Sequence, residues 1–170
     1  MVTVKKGNFA PYSIGAGGEW GTCGTVTIGG LEVAVSDDSF TYIGGKITDL
    51  STLTADYTAQ DRETLTGTLG ANVNISIADG ATVKLRNVTI NGKHSDNCRW
   101  AGINCVGNAT IIIEGTNYVK GFYRDCPGIH IPEGKTLTIN GSGALTASSS
   151  GWGAGIGGDN WLPYGNIVID

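Results

Sequence analysis

Short alternations of apolar and polar residues recur along this chain in a fixed order. Stacked above one another, GATVKL (80–85), NATIII (108–113), GKTLTI (134–139), YGNIVI (164–169) and CGTVTI (23–28) align Val83, Ile111, Leu137, Ile167 and Val26. The same alignment puts Leu85, Ile113, Ile139, Ile169 and Ile28 in a second column. Upstream of each segment runs another short one (NISI, AGINC, PGIHI, AGIGG, YSIGA), where Ile75, Ile103, Ile129, Ile156 and Ile14 align. In the central part of the chain the units return every 26–30 residues. Alternation with period two marks a half-buried strand. Like units following one another in one direction mark a solenoid whose coils stack about 4.8 Å apart. The pattern therefore predicts an all-β fold, a parallel β-helix of about five coils, right-handed by the general chirality of parallel crossovers. A β-sandwich, the rival, has no need for its strands to match one another so closely.

The two ends divide the chain into three expected parts. Residues 61–170 carry the regular coils, and 31–60 repeat nothing and read as a connector or cap. Residues 1–30 read as a coil that continues the solenoid after the C-terminal strand. Three pictures fit: a permuted domain closed on itself, a coil exchanged between molecules in head-to-tail self-association, or a piece of a longer array. The piece of an array is favoured as the origin.

Composition agrees with short strands and tight turns: 28 of 170 residues are Gly and only 4 are Pro. A net charge of -4 with 15% charged residues gives no basic footprint for nucleic acid or an anionic membrane. No run approaches the roughly 20 apolar residues of a membrane-inserted helix. MVTVKK lacks the apolar segment of a signal peptide, so Met1 is expected to head a mature domain or an internal fragment.

The units resemble the Gly- and Thr-rich β-helical repeat domains, of the carbohydrate-binding-domain-containing type, found in surface and secreted proteins of gut Bacteroidetes and Firmicutes. The resemblance is carried by TLTGTLGANVNISIADGATVKLRNVTING, WAGINCVGNATIIIEGTNYVKGFY, PGIHIPEGKTLTINGSGALTASSSGWGAGIGG and APYSIGAGGEWGTCGTVTIGG, about three quarters of the chain. It implies a modular extracellular protein, secreted or at the cell surface of a commensal bacterium, and brings no catalytic residues with it. The order departs from the family's, since the closing coils stand first.

Candidate chemistry collects at the corner after the third strand of each unit: KHSDNCRW (93–100), KGFYRDC (120–126), SSSGWG (148–153) and, by the wrap-around, KKGNFAPY (5–12). Stacked coils would align Trp100, Phe122, Tyr123, Trp152 and Phe9, with His94, Asp96, Arg99, Arg124 and Asp125 between them. Aromatic faces beside carboxylates and guanidinium groups suit a pyranose, whose CH face stacks while its hydroxyls find partners. The alternative is that the rings close the open side of a small core. A second corner holds Trp161 and Tyr164 in GDNWLPYG, with Trp20 at the matching place in GGEWGTCG.

Four cysteines show no CxxC pair, and no metal or other cofactor is expected. One disulfide is expected, Cys98 with Cys126 on the adjacent coil or its competitor Cys98 with Cys105, with buried free thiols as the alternative; Cys23 has no obvious partner. Glycoside hydrolysis wants two carboxylates about 5–9.5 Å apart; Asp96 and Asp125 lie a coil apart, but no run of paired acids lines a strand face. Asp37 and Asp38 read as solvated turn residues and His130 as a surface residue. An outward column of Lys84, Ile112, Thr138, Val168 and Thr27 is no regular hydroxyl lattice for ice. The expected function is a non-catalytic extracellular module binding glycan through Trp100, Tyr123 and Trp152, oriented by Asp96, Arg99 and Arg124. A ligand-free spacer or adhesin stalk, and a polysaccharide lyase or hydrolase, are the alternatives.

Overall fold

A computed structural model describes residues 26–28, 31–36, 39–93 and 95–170, with side chains from residue 45 onward. They fall into two units, Met1–Lys46 and Ile47–Asp170. In the first unit β1 (Val26–Ile28), β2 (Leu31–Ser36) and the leading part of β3 (Ser39–Asp49) pair antiparallel in sequence order, with an irregularity in register between Leu31 and Val33. Of the coil expected at 1–30, only Val26–Ile28 is therefore described, as a hairpin strand; the rest lies outside the described residues.

The second unit is a parallel β-solenoid. One wall stacks the end of β3, β5 (Thr64–Thr68), the first half of β7 (Thr82–Asn91), β9 (Ala109–Glu114), β12 (Thr136–Gly141) and β15 (Asn166–Ile169). A second wall stacks the far half of β7 with β10 (Thr116–Lys120) and β13 (Ala144–Ser148). The third stacks β4 (Tyr57–Ala59), β6 (Ile75–Ile77), β8 (Ile103–Cys105), β11 (Ile129–His130) and β14 (Ile156–Gly157). The described residues hold no α-helix, only a 3-10 turn at Leu50–Thr52 whose preceding Asp49 accepts a hydrogen bond from the Ser51 amide. Among the described residues no helix is long and apolar enough to cross a membrane.

Three features correct the expectations. About three turns are complete, against the five expected. Residues 47–59, read as connector, already form coil, because Ile47–Asp49 pair with Thr64–Thr66 and Tyr57–Ala59 with Ile75–Ile77. The first-wall ladder is also shifted by two residues between β9 and β12: Ile111 sits opposite Ile139, and Leu137 opposite Ala109. A shift of two keeps every side chain on its own face, so alternation alone does not distinguish the two registers. The third-wall ladder Ile103–Ile129–Ile156 is as expected.

Inside, the ladders form one dry core: Leu65, Val83, Leu85, Ile103, Ile111, Ile129 and Leu137 are fully buried. Among the described residues, three polar side chains share the interior: Thr48, Glu63 and Asn117. Glu63 accepts from the Thr48 and Tyr57 hydroxyls and from the Gln60 amide, which satisfies a carboxylate that apolar walls alone would not tolerate. Asn117 binds backbone on three consecutive coils.

Candidate functional site

The chemistry gathers where the chain leaves the second wall and turns into the third. The corner segments of successive coils are tied together by main-chain bonds: the Phe122 amide donates to the Trp100 carbonyl (3.0 Å), Gly153 to Arg124 (3.0 Å) and Asn160 to Asp125 (2.7 Å). That last bond brings the GDNWLPYG loop against the RDC turn. The two corners that the sequence keeps apart are thus one site.

Packing divides the rings. Phe122 is buried in the core, and half-buried Trp100 lies against it, centroids 5.8 Å apart and planes at 45°. Tyr123 is also buried, with the Arg99 guanidinium 4.8 Å and the Arg124 guanidinium 5.8 Å from its centroid. Neither Phe122 nor Tyr123 offers a ligand a free face, which corrects the expected platform. Arg124 also lies 4.9 Å from the Trp152 centroid, so cation and ring alternate outward from the core. Trp152 ends that stack 66% exposed, and Trp161 stands 94% exposed at its loop tip with a positive φ of 63°. Asp96 and Arg99 form a surface ion pair at 4.0 Å. Trp20, Phe9 and His94 lie outside the described residues.

Beside the corner, on the outer face of the third wall, opens a recess of about 220 Å³. Trp100, Ala101 and Arg99 form one side, and Cys126 and Asp159 another. Its floor is the outward column of the third wall, where Asn104 and His130 stand in register and the Asn104 Oδ1 lies 2.8 Å from the His130 Nδ1. Asn74 completes the lining. Two buried polar atoms of this lining, the Asn74 Oδ1 and the Trp100 Nε1, have no hydrogen-bond partner among the described residues. Asn74, Asn104 and Asp159 were missed in the sequence, and His130 is more than a lone surface residue. The outward polar column Ser76–Asn104–His130 was a readable signal for the floor; Asn74 and Asp159 gave none, being brought in by loops.

Cys98, Cys105 and Cys126 are free, buried thiols, which corrects the expected disulfide. The three side chains serve different surroundings: Cys98 and Cys105 belong to the core cluster, whereas Cys126 borders the recess. Burial pushes the Cys105 thiol up to about 12. Burial, and after it the Asp159 carboxylate, does the same to Cys126, also to about 12. Since the thiolate is the reactive form, both residues should stay unalkylated by iodoacetamide at pH 8 in the native protein and react fully in denaturant. Peptide mapping by mass spectrometry reads this, and native labelling of Cys105 would contradict the buried placement.

Among the described residues, no group of three His, Cys, Asp or Glu side chains is arranged to hold a metal ion. Asp159 is the single carboxylate lining the recess. Compared with known proteins, the chain matches no family model, no curated protein and no solved structure.

Proposed function

We propose that this protein is a non-catalytic extracellular binding module and that the corner recess takes a neutral glycan. The observation that carries this reading is a single recess whose lining mixes the indole of Trp100 with the polar groups of Asn74, Arg99, Asn104, His130 and Asp159, beside two buried atoms, the Asn74 Oδ1 and the Trp100 Nε1, that find no partner among the described residues. Each such group left without a partner costs about 1–3 kcal/mol. A sugar hydroxyl donates and accepts at once and suits a lining that offers both donors and acceptors. Arg99 and Asp159 add a donor and an acceptor of opposite charge, which favours a neutral ligand over an acidic one. Trp152, steadied on one face by Arg124, supplies an open ring for the CH face of a neighbouring sugar.

Calorimetry against a panel of neutral oligosaccharides tests the reading. Asn74→Ala and Trp152→Ala are each expected to weaken binding by about tenfold or more, the loss expected of an interface residue worth over 1 kcal/mol. Arg124→Ala, which only loosens Trp152, is expected to cost less. Failure of the whole panel, or an unchanged affinity for Asn74→Ala, overturns it.

A further inference from the structure

The outer face of the second wall carries a ring that the fold does not use. Tyr118 points away from the core, 51% exposed, while its chain neighbours Asn117 and Val119 are buried. In register beside it stand Thr89 of β7 and Thr146 of β13. One alternation further along the strands, Asn91, Lys120 and Ser148 form a second outward row. These six side chains line a depression of about 280 Å³. Cross-strand packing of Tyr on Thr is worth a few tenths of a kcal/mol to a sheet, which accounts for the ring but not for the hollow around it.

We propose that this depression is a second glycan-contacting surface, centred on Tyr118, that engages an extended neutral polysaccharide. A pyranose lying flat on the Tyr118 ring would have a threonine hydroxyl on either side, each one strand spacing of about 4.8 Å away. Asn91, Lys120 and Ser148 give the next sugar both donors and acceptors. No carboxylate lines the hollow, and Lys120 is its one charged group. The surface it offers is therefore mainly apolar, with hydroxyls and an amide rather than a charge pattern as its polar part. The surface extends the glycan reading of the corner recess, and two weak contacts on one polymer would add as avidity.

Affinity electrophoresis through soluble neutral polysaccharides (a β-glucan, a xyloglucan, a galactomannan) tests this with the whole chain, beside calorimetry with the short oligosaccharide that binds the recess. Tyr118→Ala is expected to lower affinity for polysaccharide about tenfold and to leave oligosaccharide binding unchanged. Tyr118→Phe should retain most of the affinity, because stacking survives. Thermal melts of both variants, expected to match the parent, separate lost binding from lost fold. If Tyr118→Ala migrates like the parent while Asn74→Ala loses retention, the second surface falls and the recess stands. If Tyr118→Ala alone loses retention, the surface stands and the recess reading falls. Retardation of no variant by any polysaccharide overturns both.

Discussion

Asn117→Leu is expected to destabilise the protein by about 3–5 kcal/mol, read as a lower denaturation midpoint in urea. The side chain is fully buried and spends all its polar capacity on backbone. Its Oδ1 accepts from the Val88 amide at 2.9 Å, and its Nδ2 donates to the Glu114 carbonyl at 3.0 Å and the Ala144 carbonyl at 3.2 Å. Val88 belongs to the coil before and Ala144 to the coil after. One amide therefore joins three turns at a place where an apolar residue would join none. Leucine has nearly the same size, so the loss isolates the hydrogen bonds: a buried amide and two part-buried carbonyls are left facing an apolar side chain. Against a usual total of 5–15 kcal/mol for a domain, that is a large share. Asn91→Leu, on the exposed outer row, is the control and should shift stability by less than about 0.5 kcal/mol. A loss under about 1 kcal/mol for Asn117→Leu would mean that the neighbouring coils re-pair without it.

Asn117 also shows where the sequence could be read and where it could not. The architecture was legible because most inward positions are apolar and alternate, and the AGI and PGI units mark three of the third-wall strands, β8, β11 and β14, in the same way. Asn117 breaks that alternation in TNYVK, so nothing in the pattern places it inside. The register of Ile111 was misread for a related reason. The repeat gives the face of each residue, but loop lengths and side-chain clamps set its partner. One such clamp is the Asn108 Oδ1, which accepts from the Thr136 amide of the next coil at 2.9 Å.

The site was legible as chemistry but not as geometry. Trp100 and Arg99 of one segment do meet Phe122 and Tyr123 of the next at one corner, as stacking of equal units demands. Which rings stay open is decided by core depth. Phe122 and Tyr123 follow Gly121 directly and turn inward, while Trp152 sits in a Ser- and Gly-rich turn with no apolar neighbour to cover it. The recess itself unites Asn74, Trp100, His130 and Asp159 from different coils. Trp100 and Asp159 come from the two corner segments, KHSDNCRW and GDNWLPYG, while Asn74 and His130 come from neither. A site assembled across coils leaves no local signature along the chain.

The glycine of each AGI or PGI unit gives the second large effect, and here the sequence was fully informative. Gly102, Gly128 and Gly155 stand at the same corner of successive coils, each just before a third-wall strand. A Cβ built on Gly128 would lie 2.7 Å from the Gly155 carbonyl, the Ser148 amide nitrogen and the Val119 carbonyl. These are backbone atoms of two walls, not ends of flexible side chains, so nothing nearby can swing aside. Gly128 also bonds the coils on either side: its amide donates to the Ala154 carbonyl at 3.2 Å, and the Ile103 amide donates to its carbonyl at 2.9 Å. A methyl group there must either prise two coils apart or break that ladder. Overpacking alone costs about 1–3 kcal/mol, and each ladder bond broken adds about 1 kcal/mol. Gly128→Ala should therefore lower the melting temperature by roughly 10 °C or more at the several °C per kcal/mol of a domain this size. Gly134→Ala is the comparison. Its φ of 73° carries backbone strain, but no heavy atom lies within 4 Å of the added carbon, so its loss should be about 1 kcal/mol. A Gly128→Ala melt equal to that of Gly134→Ala would mean that the coils have slack at this corner, and that the repeated glycine marks only a preferred turn rather than the contact that sets their spacing.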